Sequence, residues 1–325
     1  MIRPACLGRI PYINSAMGHL ALGIDQGHTK TCIAITDEKQ NVLYEDYSSN
    51  YDQYASNREK HRRVIIELLK GLNEFKASPL NVFIASNGYM TRDFVDIFQS
   101  LGFATDSIEI FNDTHGHYGL TAMPGHCFML ASGTYWNLMF YDHHNDSKRL
   151  PGNIWKRLNT DGLTISGYGF ANCILKTYRD YKFRGINHNF IHAVEDQIRA
   201  NGKSIRFRRE QVGYFDDVGH FSRLSELLPK FRNLREVDLY INQALDKICL
   251  LLKVFAENIK IKNFHYLFVG GSLWSNDFLL SMLDEKARRQ DIQVIRAQGN
   301  PAIGAIHIRL KNPEANIRTL LKWSK

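Results

Sequence analysis

The densest chemistry in the sequence lies in residues 20–37, LALGIDQGHTKTCIAITD. Asp25 ends one apolar run, Gly27 and His28 follow, and Thr29, Lys30 and Thr31 lead into a second apolar run. Those residue types at that spacing suit a polyphosphate. Glycine has no Cβ to keep a phosphate off the backbone. Successive N–H groups in a turn form an anion-binding concavity, and threonine hydroxyls and a lysine ammonium add donors. A carboxylate at the strand end, Asp25, suits a hydrated Mg²⁺. An ordinary hairpin with a glycine in its turn reads the same locally, since short glycine motifs recur by chance.

The elements that must position these groups are legible in order. Leu20, Leu22 and Ile24 alternate with smaller residues as a half-buried strand does, and residues 32–36 alternate again before a polar turn and a third strand. A helix follows, opened by the capping box Ser56-x-x-Glu59, with Val64, Ile65, Leu68, Leu69 and Leu72 on one face. A strand over residues 82–85 ends at Ser86-Asn87-Gly88. A second helix carries Phe94, Ile97 and Phe98 and stops at Gly102, and a strand over 108–111 runs into Asn112-Asp113. This is an α/β domain with a mixed sheet, and ligands in such sheets bind outside the strand carboxyl ends, where Asp25, Asn87 and Asp113 fall. The pattern then begins again. Residues 126–143 read as strand, turn, strand, with Ser132-Gly133-Thr134 in place of Gly27-His28-Thr29. A long helix is expected over 234–261, a buried strand over 265–269 leading into Gly270-Gly271-Ser272, and further helices over 277–289 and 313–323.

Residues 23–31, GIDQGHTKT, resemble the first phosphate motif of the actin, Hsp70 and sugar-kinase superfamily, D-x-G-x-T/S-x-T/S. Among its branches the chain is most similar to the BadF/BadG/BcrA/BcrD ATPase family, which includes the N-acetylglucosamine kinases. The resemblance spans roughly residues 20–310. It implies two actin-like (ribonuclease H-like) α/β domains with mixed sheets, facing each other across a nucleotide cleft. Their expected spans are 20–124 and 125–325, after a leader over 1–19 for which disorder is one option. It further implies that Asp25 contacts Mg²⁺ and that Gly27, His28, Thr29 and Lys30 hold phosphate. Asp113 matches the position of the general base, which must lie within hydrogen-bond reach of the attacking hydroxyl. Ser132, Gly133 and Thr134 resemble the second phosphate motif, with Tyr135-Trp136 where the family has Gly-Ser. Gly270, Gly271 and Ser272 resemble the adenosine motif, and Pro301-x-x-Gly304-Ala305 resembles the small-residue helix at the domain interface. Asn50, Asn87, Gly88, Asn112 and Asp161 fall where the family contacts its sugar. Residues 159–164, NTDGLT, do not keep the family's G-D-E-G-S loop.

Composition excludes other classes. The five cysteines, Cys6, Cys32, Cys127, Cys173 and Cys249, form no C-x-x-C pair, which argues for reduced thiols in the cytoplasm and against the iron–sulfur cluster of the dehydratase-activator branch. No apolar run is long enough to cross a membrane, and residues 1–19 lack the apolar segment of a signal peptide. The net charge of +8 gathers around residues 176–184, 203–209 and 230–235, mixed with acids and without a nucleic-acid motif. A solvated surface favouring anionic ligands explains this better than a nucleic-acid face. The sequence therefore predicts an ATP- and Mg²⁺-dependent kinase acting on a sugar hydroxyl, most plausibly of N-acetylglucosamine or a related amino sugar. Neither nucleic acid nor membrane is an expected partner, and a homodimer is an open expectation. The alternative is an ATPase or regulatory ATP-binding protein of the same fold, favoured by the altered 159–164 loop.

Overall fold

A computed structural model describes residues 19–27, 30–49, 58–86, 93–152, 165–186, 188–200, 222–317 and 319–324. Residues 1–18 of the leader, Ser56 of the capping box, and the site candidates His28, Thr29, Asn50, Asn87, Gly88 and Asp161 lie outside the described residues.

The first sheet is built from β1 (Leu20–Gln26), β2 (Lys30–Thr36), β3 (Val42–Ser49), β4 (Leu80–Ser86) and β5 (Thr105–Asn112). β2 pairs antiparallel with β1 and β3, while β4 runs parallel to β1 and β5. The alternation in β1 decides its two faces. Leu20, Leu22 and Ile24 pack with α1 (Arg58–Lys70) and α2 (Asp93–Leu101), through Ile65, Leu69, Phe94 and Phe98. Ala21, Gly23 and Asp25 point the other way, where small residues let helices come close.

The second sheet repeats the plan. β6 (Cys127–Ser132), β7 (Trp136–Tyr141), β8 (Ser147–Arg149), β9 (Tyr266–Gly270) and β10 (Gln293–Arg296) lie in the order β10-β9-β6-β7-β8. The first sheet runs β5-β4-β1-β2-β3 in the matching sense. One face of this sheet is covered by α4 (Gly167–Phe183), α5 (Asn189–Ala200), α6 (Leu228–Phe231), α7 (Arg235–Asn258) and α8 (Asp277–Arg288). Phe128, Leu130, Phe140, Phe170, Ile248 and Phe255 lie in the core beneath these helices. The 24 residues of α7 form as expected from their apolar spacing.

Between the sheets lie α3 (Asp113–Tyr118) and α9 (Pro301–Leu310). A single apolar cluster there joins Ala85 and Phe111 of the first sheet to Met129, Met139 and Phe268 of the second, with Tyr118 and Ile306 from the two helices. The helices meet backbone to backbone. A Cβ on Gly119 would stand 2.0 Å from the Gly304 oxygen, one on Gly304 1.8 Å from the Gly116 oxygen, and one on Gly23 1.9 Å from the Ala302 oxygen. The small-residue helix expected from Pro301-x-x-Gly304-Ala305 thus packs at the junction of the halves.

One expectation fails. Residues 313–323 do not form a terminal helix; β11 (Thr319–Ser324) pairs antiparallel with β5 and closes the first sheet's edge. Ile317, Leu320 and Leu321 have helical spacing, but an irregularity in the β11–β5 register lets Leu320, Leu321 and Trp323 all pack on the first sheet's core. An open strand edge outcompeted a weak local helix signal. The C-terminal residues therefore return to the first sheet rather than staying with the second.

Candidate functional site

The register of the parallel strands sets the site. Gln26 stands opposite Ser86 and Ser86 opposite Asn112, so three strand ends lie level. Gly27 N–H donates to the Lys30 carbonyl at 2.9 Å, closing the β1–β2 turn, and a Cβ on Gly27 would crowd that same oxygen at 2.8 Å. Lys30, expected on phosphate, has its ammonium 4.3 Å from the ring centre of Tyr47 on β3.

Asp25 is almost fully buried, and that burial, reinforced by the charge of Asp113, pushes its carboxyl up to about 8, with Lys30 opposing. Burial also raises Asp113, against the hydrogen bonds of Asn137 and Thr114 and the charge of Arg149. Asn112 caps α3: its side chain accepts from Thr114 N–H at 3.1 Å. Asp113 is therefore the first residue of a helix that starts at the strand end.

Asn137, on β7 of the opposite sheet, reaches both residues. Its Nδ2 donates to Asn112 Oδ1 at 2.5 Å and lies 3.5 Å from Asp113 Oδ1. The sequence reading missed this residue. The signal was present in the alternation of β7, which puts Asn137 on the same face as Met139 and Tyr141. A second tie holds α3 to β7, where Tyr141 Oη and His115 Nδ1 are 2.7 Å apart and Tyr141 stacks on Tyr118.

The turn Ser132-Gly133-Thr134 is clamped from behind. Gly167 N–H donates to Gly133 O at 2.7 Å and Tyr168 N–H to Thr134 O at 3.2 Å, from the start of α4. The hydroxyls of Ser132 and Thr134 are buried and have no hydrogen-bond partner among the described residues. The bulky pair that follows does not close the turn: Tyr135 is exposed, and Trp136 packs against the core beneath α4 and α7. Gly270-Gly271-Ser272 lies directly against this turn. Gly271 has φ +93°, and a Cβ there would stand 2.4 Å from the Ser132 oxygen; Ser272 Oγ is 3.6 Å from where a Gly133 Cβ would be. His117, one turn after Asp113 on α3, fills the space a Cβ on Gly270 would need, and burial lowers its imidazole to about 4. It is a neutral ring at neutral pH, and nothing in the sequence marked it.

The structure thus brings together Asp25, Asn112, Asp113, Ser132–Thr134 and Gly270–Ser272, while Lys30, exposed over Tyr47, lies on the Asp25 face of the sheet and its charge acts on Asp25. These groups fit a nucleotide polyphosphate and a divalent cation. The Ser132 and Thr134 hydroxyls and the Gln26 amide nitrogen are buried polar atoms with no hydrogen-bond partner among the described residues, an arrangement that ordinarily costs stability. A cation would offset the burial, and the smaller repulsion from Asp113, that hold the Asp25 carboxyl protonated.

No protein-family model and no curated protein matches the chain. Solved structures do. A provisionally assigned N-acetylglucosamine kinase from Chromobacterium violaceum matches with TM-score 0.60 at 16% identity, over 90% of this chain and 99% of that one. A ROK family glucokinase from Streptomyces griseus, solved with glucose and AMPPNP, matches with TM-score 0.57 at 14% identity, over 89% and 97%. A provisionally assigned N-acetylmannosamine kinase from Listeria monocytogenes matches with TM-score 0.55 at 11% identity, over 92% and 100%. At these identities the likeness is one of fold: two mixed sheets in the actin-like arrangement of these proteins.

Proposed function

We propose that the protein is an ATP-dependent sugar kinase, most plausibly for N-acetylglucosamine or a related amino sugar. The observation that carries the reading is the placement of Asp113. It sits at a strand end of one sheet, shares its electrostatic field with Asp25, and is tied by Asn137 to the strand that starts at the Ser132–Thr134 turn. A carboxylate so placed serves as base for a hydroxyl whose target phosphate rests on that turn.

In this reading the β- and γ-phosphates lie between the turn after β1 and the Ser132–Thr134 turn. The two orphan hydroxyls and the Gly133 backbone orient the γ-phosphoryl group. Asp113 accepts the proton of the attacking sugar hydroxyl, whose oxygen bonds to the γ-phosphorus as the bond to the ADP oxygen breaks. The proton passes to solvent when the phosphosugar leaves. Asp25 would hold Mg²⁺, which would supply charge neutralisation to the phosphates. The fold of the sugar-kinase neighbours, one of them solved with AMPPNP, supports the use of ATP. Asn112 and Asn137 offer amides beside the base for neighbouring hydroxyls of the acceptor. Among the described residues no helix is long and apolar enough to cross a membrane. The test is ADP release with and without each sugar. Stimulation by an amino sugar supports the reading, and ATP hydrolysis indifferent to every sugar removes it.

A further inference from the structure

The sheet order sets the proposed reaction out along a line. Gly270 ends β9, Ser132–Thr134 joins β6 to β7, Asn137 on β7 reaches Asp113, and β8 lies outermost beyond β7. Moving from β9 to β8 is moving from the nucleotide to the acceptor.

Arg149 is the last residue of β8 and stands opposite Met139 in the ladder. Residues directly opposite share a face. Two steps along β7 from Met139 is Asn137, also on that face, which is the face packed toward α3. Arg149 therefore projects on the side of the sheet that holds Asp113, and its positive charge acts on the Asp113 carboxyl. Its neighbour Lys148 pairs with Phe140 and takes the opposite face. The Arg149 side chain is exposed and makes no ion pair or hydrogen bond among the described residues. It is not a salt-bridge partner of Asp113, and β6 and β7 separate its strand from the β9 glycines.

A guanidinium presents a rigid fork of donors that matches a carboxylate or phosphate in two parallel hydrogen bonds. Unpaired among the described residues and set at the acceptor end of the cleft, such a group can act as a specificity element. We propose that Arg149 recognises an anionic group on the acceptor, so that the sugar carries a carboxylate or a phosphate besides the hydroxyl that is phosphorylated. This rests on the sugar-kinase reading above and narrows it: an amino sugar with an acidic substituent satisfies both.

The test compares three acceptor sets under ATP and Mg²⁺: neutral sugars (glucose, N-acetylglucosamine), sugar acids (glucuronate, N-acetylmuramate) and sugar phosphates (glucose 6-phosphate, N-acetylglucosamine 6-phosphate). Wild type, Arg149→Gln and Arg149→Lys are assayed, with melting curves to confirm folding. The expected result is a kcat/KM at least about tenfold higher for one acidic acceptor than for its neutral parent. Arg149→Gln then raises KM for that acceptor about tenfold or more, with a much smaller change in kcat, and Arg149→Lys recovers part of the loss. The set that contains the preferred acceptor tells carboxylate from phosphate. A neutral sugar as best acceptor, with a KM indifferent to Arg149→Gln, overturns the inference and leaves the kinase reading standing. An equal fall of kcat on every acceptor, with the acid limb of the pH profile moved, makes Arg149 a tuner of Asp113 and also overturns it. Failure of every sugar to stimulate ADP release removes both.

Discussion

Asp113 and Asp25 carry opposite burdens. As the proposed base, Asp113 must be ionised to accept a proton, and burial makes that harder. The acid limb of the kcat/KM profile is therefore expected above the ordinary carboxylate value of 3.8, with activity rising as pH rises through it. Asp113→Asn is expected to lower kcat by about 10²–10⁴-fold while nucleotide still binds, as read by steady-state kinetics and nucleotide titration. Asp25 makes a different prediction. Its folded-state value of about 8 lies above its ordinary 3.8, so between these pH values the folded protein holds a proton that the unfolded chain has released. By linkage, this group costs stability progressively as pH rises from 3.8 towards 8. Asp25→Asn should therefore raise the melting temperature of the ligand-free protein at pH 8 and change it little near pH 4, while abolishing turnover. A variant no more stable than wild type at pH 8 would contradict the assigned burial. Both carboxylates were legible in the sequence because each stands where an apolar strand run stops. Asn137, His117 and Arg149 were not, because their roles depend on which face of one sheet meets the other.

At the scale of elements, α3 and α9 hold the halves together through backbone contact. Gly116, Gly119 and Gly304 leave no room for a methyl group. Gly304→Ala, whose Cβ would fall 1.8 Å from a carbonyl oxygen, is expected to destabilise by about 1–3 kcal/mol or more in urea titration. Gly152→Ala, with nothing within 4 Å of its Cβ, is expected to stay within about 0.5 kcal/mol of wild type. Strand and helix periodicities gave most elements directly, from the β1–β2 hairpin to α7. The exception was β11, where Ile317, Leu320 and Leu321 imitate a helix face and only the unpaired edge of β5 explains the strand. The conformation of the Ser132–Thr134 turn also needed the structure. Tyr135 and Trp136 look obstructive in sequence, yet β7 directs one to solvent and the other into the core.

Over the whole molecule, the return of the chain to the first sheet is locked by charge. Arg309 at the end of α9 forks onto Glu109 of β5, with Arg309 Nε at 2.9 and 2.8 Å from its two oxygens, and Thr319 of β11 donates to the same carboxylate at 3.0 Å. Both partners are largely buried. Removing one leaves the other uncompensated, so Arg309→Met is expected to cost about 3–5 kcal/mol, much of it recovered by adding Glu109→Leu. Hydrogen exchange at β5 and β11 would locate the loss. No local pattern links residues 109 and 309. By contrast, the coarse repeat of strand, glycine-bearing turn and strand was visible in sequence and anticipated two mixed sheets, whose matching strand order only the structure shows.

The central claim is that Asp113 is the base of a sugar kinase. ADP release in ATP and Mg²⁺, measured across a panel of neutral and acidic sugars for wild type and Asp113→Ala, tests it most directly. The account predicts release stimulated by a sugar in the wild type and reduced at least about 100-fold in the variant, with ATP still bound by both. ATP turnover that no sugar changes, or sugar phosphorylation that survives Asp113→Ala, would contradict it.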